Sequence, residues 1–146
     1  MLRMGSFQME LMQVKDASGP CVRRPSEVAG YMRETAGLAQ EAFCVLTINV
    51  KNRVIDKHLV TLGTLDATLV HAREIFRPAI LDGARSIIIC HNHPSGDPSP
   101  SAEDLRITRN LIEAGTVVDI KVMDHVIVVK DGGFCSLRET HMVDFD

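Results

Sequence analysis

Apolar and polar positions recur along this chain with two periods, and each change of period marks a change of element. Phe7, Met9 and Leu11 alternate with polar neighbours, which predicts an N-terminal strand followed by a turn at Ser18, Gly19 and Pro20. Pro25 and Ser26 open a helix expected to end near Gly37. Ala42 to Ile48 reads as a buried strand, and a turn at Lys51 and Asn52 leads to a second strand, Arg53 to about Leu62, completing a hairpin. From His71 to Gly83 the period becomes helical, with Ala72, Ile75, Phe76, Ala79 and Ile80 on one side and Arg73, Glu74 and Arg77 on the other. Pro78 is expected to kink this helix or mark a short start. Ser86 to Cys90, centred on Ile87, Ile88 and Ile89, has the continuous apolar character of a central strand covered on both faces. Further strands are expected near Val117–Val122, His125–Lys130 and Phe134–Leu137, the last after a turn at Asp131, Gly132 and Gly133. The class is α/β, a single domain with a mixed sheet flanked by helices.

Between the isoleucine strand and the next helix lies HNHPSGDPSPSAED, His91 to Asp104. On an extended chain His91 and His93 leave the same side, about 7 Å apart along the backbone, so both imidazoles can reach one ion. Pro94, Gly96, Pro98 and Pro100 forbid regular structure and let the chain reverse. Ser101 then reads as a helix N-cap. At about 100° per residue, Leu105, Ile107, Thr108, Leu111, Ile112 and Ala114 fill one half of the wheel, and Glu103, Arg106, Arg109, Asn110 and Glu113 fill the other. Asp104 falls in the apolar half. A carboxylate there is costly unless protonated, hydrogen-bonded or paired with a positive charge, and a divalent cation is one such partner.

Simpler roles exist for each residue. Asp104, three positions after Ser101, completes a capping box and favours the positive end of the helix dipole. A lone histidine is more often surface or core than ligand. Two histidines at strand spacing, with an inward aspartate after a rigid loop, shift the balance toward a metal. Two imidazoles and one carboxylate suit a single tetrahedral zinc, whose remaining position would take a water acidified to a pKa of around 7 for attack on a carbonyl.

His91-x-His93, seven residues, then Ser101-x-x-Asp104 matches the metal motif of the JAB/MPN (JAMM) metalloproteases. The longer string HNHPSGDPSPS, with EAFCVLTINVKNRVI, GTLDATLVHAREIFRPAI and DHVIV in order, resembles the RadC-like branch of that family from about residue 26 to the end. Members of that branch were first named as DNA repair proteins. The resemblance implies His91, His93 and Asp104 as zinc ligands and Glu41 as the general acid/base. It implies Ser101 as a donor to the oxyanion, alongside its N-cap role. Spacing alone does not select Glu41 over Glu34, Glu74, Asp97 or Glu103, and an ordinary strand-edge charge is its plain reading. The implied reaction is zinc-dependent hydrolysis of an amide or isopeptide bond in a protein or peptide substrate. Residues 1–25 would form an arm packed on a catalytic domain of 26–146, without room for the N-terminal helical region of longer RadC-like proteins.

Composition narrows the classes. Hydrophobic residues at 45% and charged residues at 24% are ordinary globular values, and no apolar run is long enough for a bilayer. The N-terminal residues lack the apolar core of a secretory signal, which favours the cytoplasm. Sixteen Lys and Arg against nineteen Asp and Glu leave a net charge of −3, with one tyrosine and no tryptophan. This argues against the alternative class, a DNA-repair-associated nucleic-acid-binding protein, although a metal-dependent nuclease at the same site stays open. A zinc deaminase would need H-x-E and P-C-x-x-C, which the chain lacks, and inactive MPN relatives lack the ligands present here. Cys21, Cys44, Cys90 and Cys135 are widely spaced and read as free thiols, with Cys90 pointing away from the histidines. Asp124 and His125 are candidates for orienting a ligand or for sheet packing. His58, His71 and His141 match no pattern. Phe7 to Leu11 could pair with another chain, which leaves a homo-oligomer open.

Overall fold

The computed structural model describes residues 15–63 and 70–146, so the strand expected at Phe7–Leu11 lies outside the described residues. Helices α1 (Pro25–Tyr31) and α2 (Arg33–Ala36) precede β1 (Ala42–Ile48) and β2 (Val54–Leu62). Then come α3 (Ala72–Asp82), β3 (Ser86–Asn92), α4 (Ala102–Val118), β4 (Lys121–Val128) and β5 (Phe134–Ser136). The strands form one five-stranded sheet in the order β2-β1-β3-β4-β5. Only β3 and β4 run parallel, and α4 is the crossover that a parallel pair requires. The fold is α/β with a mixed sheet, as the periodicity predicts.

Alternation along the central strands divides the core into two. Phe43, Val45, Ile87, Ile89 and Ile127 pack against Ile75, Phe76 and Ala79 of α3 and Ile107 and Leu111 of α4. Cys44, Leu46, Ile48, Ile88, Cys90, Val126 and Val128 face the other way, onto Val28, Met32 and Ala36. A sheet covered on both faces explains why β1 and β3 are buried at every position. Among the described residues no helix is long and apolar enough to cross a membrane.

Two elements differ from expectation, the first helix and the strands after α4. The helix after Pro25 is interrupted at Met32 (φ −94°, ψ 15°), whose fully buried side chain packs into the core. Of the two roles expected for Pro78, marking a start is excluded, since it lies inside α3 between Phe76 and Ala79, which are both in the core. The strand expected at Val117–Val122 and the one at His125–Lys130 are a single strand, and Val117 and Val118 belong to the last turn of α4. The β-branched valines suggest a strand, but tertiary closure of the helix overrides that preference. Asp119 takes a left-handed conformation (φ 61°), and Ile120 donates its N–H to the Gly115 carbonyl at 2.9 Å. A Cβ on Gly115 would stand 2.5 Å from the Ile120 carbonyl oxygen, so glycine is what permits this return.

A β-bulge sets up the site. Ile87 pairs with Val122 but Ile88 with Asp124, leaving Met123 as the extra residue. The added residue resets the alternation. Val122 joins the α3/α4 core, and His125, three positions on, turns to that same side.

Candidate metal centre

The site forms where β3 ends against the start of α4. His91 is the penultimate residue of β3, pairs with Phe43 on β1, and stacks on its ring (centroids 5.8 Å apart, planes at 21°). His93 follows the strand, its N–H donated to the Val128 carbonyl at 3.0 Å. Gly96 (φ 86°) then reverses the chain with an N–H to the His93 carbonyl, and Asp97 Oδ1 accepts from Ser99 N–H at 2.9 Å. The loop returns to Ser101, where the capping box is complete: Asp104 N–H donates to Ser101 Oγ (3.0 Å) and Ser101 N–H to Asp104 Oδ2 (2.8 Å). The cap reading of Asp104 is therefore correct, and it coexists with an inward carboxylate that is 1% exposed.

The expected ligands converge. His91 Nε2 and His93 Nε2 are 2.9 Å apart, Asp104 Oδ1 lies 3.3 Å from His91 Nε2, and Asp104 Oδ2 lies 3.3 Å from His93 Nε2. His93 Nδ1 faces the Asp97 carbonyl at 2.8 Å. A carbonyl only accepts, so the proton sits on Nδ1 and a neutral His93 presents a lone pair at Nε2 toward His91 and Asp104. Electron-rich atoms packed this closely need a cation between them, a proton or a metal. Donors around a tetrahedral ion with bonds of about 2.0 Å stand roughly 3.3 Å apart, so these residues fit a zinc-like ion.

Glu41 joins the group, its Oε1 3.8 Å from His93 Nε2, and Glu41, His91 and His93 offer ligand atoms that all lie within 4.8 Å of one another. Its backbone is held from below by Asn92, which lies between the two histidines and points to the opposite face. Asn92 Oδ1 accepts from Ala42 N–H at 2.6 Å, and its Nδ2 donates to the Gln40 and Leu38 carbonyls at 3.0 and 3.3 Å. From the far side Gly63 N–H donates to the Glu41 carbonyl at 2.8 Å. The rival carboxylates are elsewhere engaged: Glu74 with Arg73, Glu103 with Arg106, Asp97 with its own loop, and Glu34 exposed on α2. A cavity of about 290 Å³, lined by Ala39, Gln40, Glu41, Gly63 and Pro94, opens beside Glu41.

Electrostatics follow from this packing. Burial pushes the Asp104 carboxyl up, but the His91 and His93 imidazoles that face it, donating when protonated, overcome it and hold the group far below the usual carboxylate range. Hydrogen bonding to Asp104 holds the His93 imidazole above its ordinary value, reinforced by the Asp97 carbonyl and the charge of Glu41. Proton and metal compete for His93 Nε2. Below the raised His93 value a bound ion must displace a proton, so metal affinity should fall by up to about tenfold per pH unit, and it should level off above that value. Metal titrations at intervals from mildly acidic to mildly alkaline pH measure this, and a pH-independent affinity would contradict it.

Of the pair Asp124 and His125, only His125 faces the site. Asp124 turns to the opposite side, where it accepts from Ser136 Oγ, Arg138 N–H and His125 N–H. Cys90 is buried on that side too, away from the histidines as expected. His58 has a partner that spacing does not reveal: its Nε2 lies 2.7 Å from Asp82 Oδ2. Asp56, His58 and Asp82 form a second group with metal-binding side chains, but Lys15 Nζ already supplies its cation, 2.5 Å from Asp56 and 3.7 Å from Asp82. Asn92 and Thr108, both buried beside the cluster, are positions that the sequence pattern does not single out. For Thr108 the only signal is a hydroxyl on the inward face of α4.

A family model described as the RadC-like JAB domain matches residues 22–142. The chain is 46% identical over 126 residues to a UPF0758 protein of Caldanaerobacter subterraneus subsp. tengcongensis, covering 86% of this chain and 54% of that one. It is 54% identical over 104 residues to a UPF0758 protein of Symbiobacterium thermophilum (71% and 44% covered), and 45% over 119 residues to one of Bacillus mycoides (81% and 52% covered). The chain thus spans about half the length of the curated relatives it matches. On these matches, and with the mixed sheet and ligand cluster in place, the chain belongs to the RadC-like branch of the JAB/MPN family.

Proposed function

We propose that this protein is a zinc-dependent metallopeptidase or isopeptidase that hydrolyses an amide bond in a protein or peptide substrate. The observation that carries the reading is the convergence of two imidazole lone pairs and a buried carboxylate, with a second carboxylate, Glu41, 3.8 Å from His93 Nε2. His91, His93 and Asp104 would hold one divalent ion, which would supply a Lewis acid to acidify water and polarise a carbonyl. Glu41 takes the proton of the attacking water and delivers it to the leaving amine, a transfer worth about 10²- to 10⁴-fold. The cavity beside Glu41 is where that amine would leave. Ser101, at the helix N-terminus, turns its hydroxyl proton to the developing oxyanion while its oxygen keeps the cap.

The test measures zinc content and hydrolysis of a library of fluorogenic peptide and isopeptide amides for the native protein and His91→Ala. Turnover that requires zinc and disappears in His91→Ala is expected. Turnover that survives both chelation and His91→Ala would overturn the reading, as would zinc-dependent cleavage of DNA with no amide cleaved.

A further inference from the structure

We propose that His125 and Thr108 are positioning residues that fix the tautomer of His91, and through it the atom offered to the metal. The inference rests on the metal reading of His91 and goes beyond it to residues that touch neither ion nor substrate. His125 is fully buried, its Nε2 2.7 Å from His91 Nδ1 and its Nδ1 2.6 Å from Thr108 Oγ1. Thr108 Oγ1 also lies 2.6 Å from the Asp104 carbonyl oxygen, one turn back on α4.

The proton positions follow link by link. The Asp104 carbonyl can only accept, so the single Thr108 proton is donated to it. Thr108 Oγ1 is then an acceptor toward His125, which places the His125 proton on Nδ1. The His125 ring, 0% exposed, meets Thr108 Oγ1 through Nδ1 and His91 Nδ1 through Nε2, so with its proton on Nδ1 its Nε2 carries the lone pair. That lone pair accepts from His91 Nδ1–H. The remaining nitrogen of His91, Nε2, is thereby left unprotonated and faces His93 and Asp104. The reverse arrangement would put a proton on His91 Nε2 and block it as a ligand.

The relay begins and ends at the metal centre. It starts on the backbone of Asp104, one ligand, and finishes on the ring of His91, another, so α4 and β3 are locked together through β4. The bulge at Met123 is what brings His125 to this face. His93 reaches the same tautomer without a relay, its Nδ1 proton held directly by the Asp97 carbonyl.

Two measurements test the inference. Long-range nitrogen–proton correlation spectra of the histidine rings in the metal-free native protein should show His91 and His125 both protonated on Nδ1. Equilibrium competition against a chelator should show zinc bound about 10- to 100-fold more weakly by Thr108→Val, with Thr108→Ser restoring near-native affinity. His91 or His125 without a proton on Nδ1 in the native protein would overturn the relay, and so would native zinc affinity in folded Thr108→Val. If the native protein binds no zinc, the metal reading fails, and the ring spectra still judge the relay by themselves.

Discussion

Glu41→Gln should leave the metal bound and lower amide hydrolysis by about 10²- to 10⁴-fold. The substitution keeps the shape of the side chain and removes only its capacity to carry a proton. The backbone of residue 41 does not depend on that carboxylate: Gly63 N–H holds its carbonyl, and Asn92 holds the residues on either side. Glu41 is also more exposed than the ligands, its side chain 25% accessible against 2% for Asp104. Zinc content should therefore be unchanged while kcat falls. Parallel measurement of zinc and of kcat and KM separates the two roles. Native turnover in a zinc-loaded Glu41→Gln protein would remove Glu41 from the proton transfer, and loss of zinc would make it a ligand instead.

Asn92→Ala should cost about 2–4 kcal/mol of stability, out of proportion to the size of the side chain. Asn92 is completely buried and serves three backbone groups of the segment that carries Glu41. Alanine leaves the Ala42 N–H and the Leu38 and Gln40 carbonyls without this partner, and no nearby strand replaces it, because Ala42 begins β1. The same change frees the Glu41 backbone on one side, so kcat should fall even when the protein is kept folded at low temperature. Denaturant midpoints read the stability. A loss below about 0.5 kcal/mol, the scale of a neutral surface substitution, would show that the segment is held by other contacts.

Local periodicity carried much of the fold. The hairpin of β1 and β2, the isoleucine strand β3 and the amphipathic α4 announce themselves because each buries its face within a few consecutive residues. The two predicted strands that proved to be the end of α4 and all of β4 failed for a tertiary reason, the close return of Ile120 over Gly115. All three expected ligands fall within fourteen consecutive residues, which is why spacing alone could suggest them. Glu41 stands fifty positions away and rested on resemblance. The supporting residues were hidden for the same cause: Thr108 and His125 are 17 apart, His58 and Asp82 are 24 apart, and Asn92 reaches back 50 positions to Ala42. The bulge that turns His125 toward His91 leaves no local signature in the sequence.

Zinc stoichiometry decides whether the cluster of His91, His93 and Asp104 is a metal site at all. Protein stripped with chelator and dialysed against zinc should retain one equivalent by elemental analysis, and His91→Ala, matched for folding by circular dichroism, should retain none. A native protein that retains no zinc, or a His91→Ala variant that retains as much as the native one, would contradict the metal centre and the hydrolysis built on it.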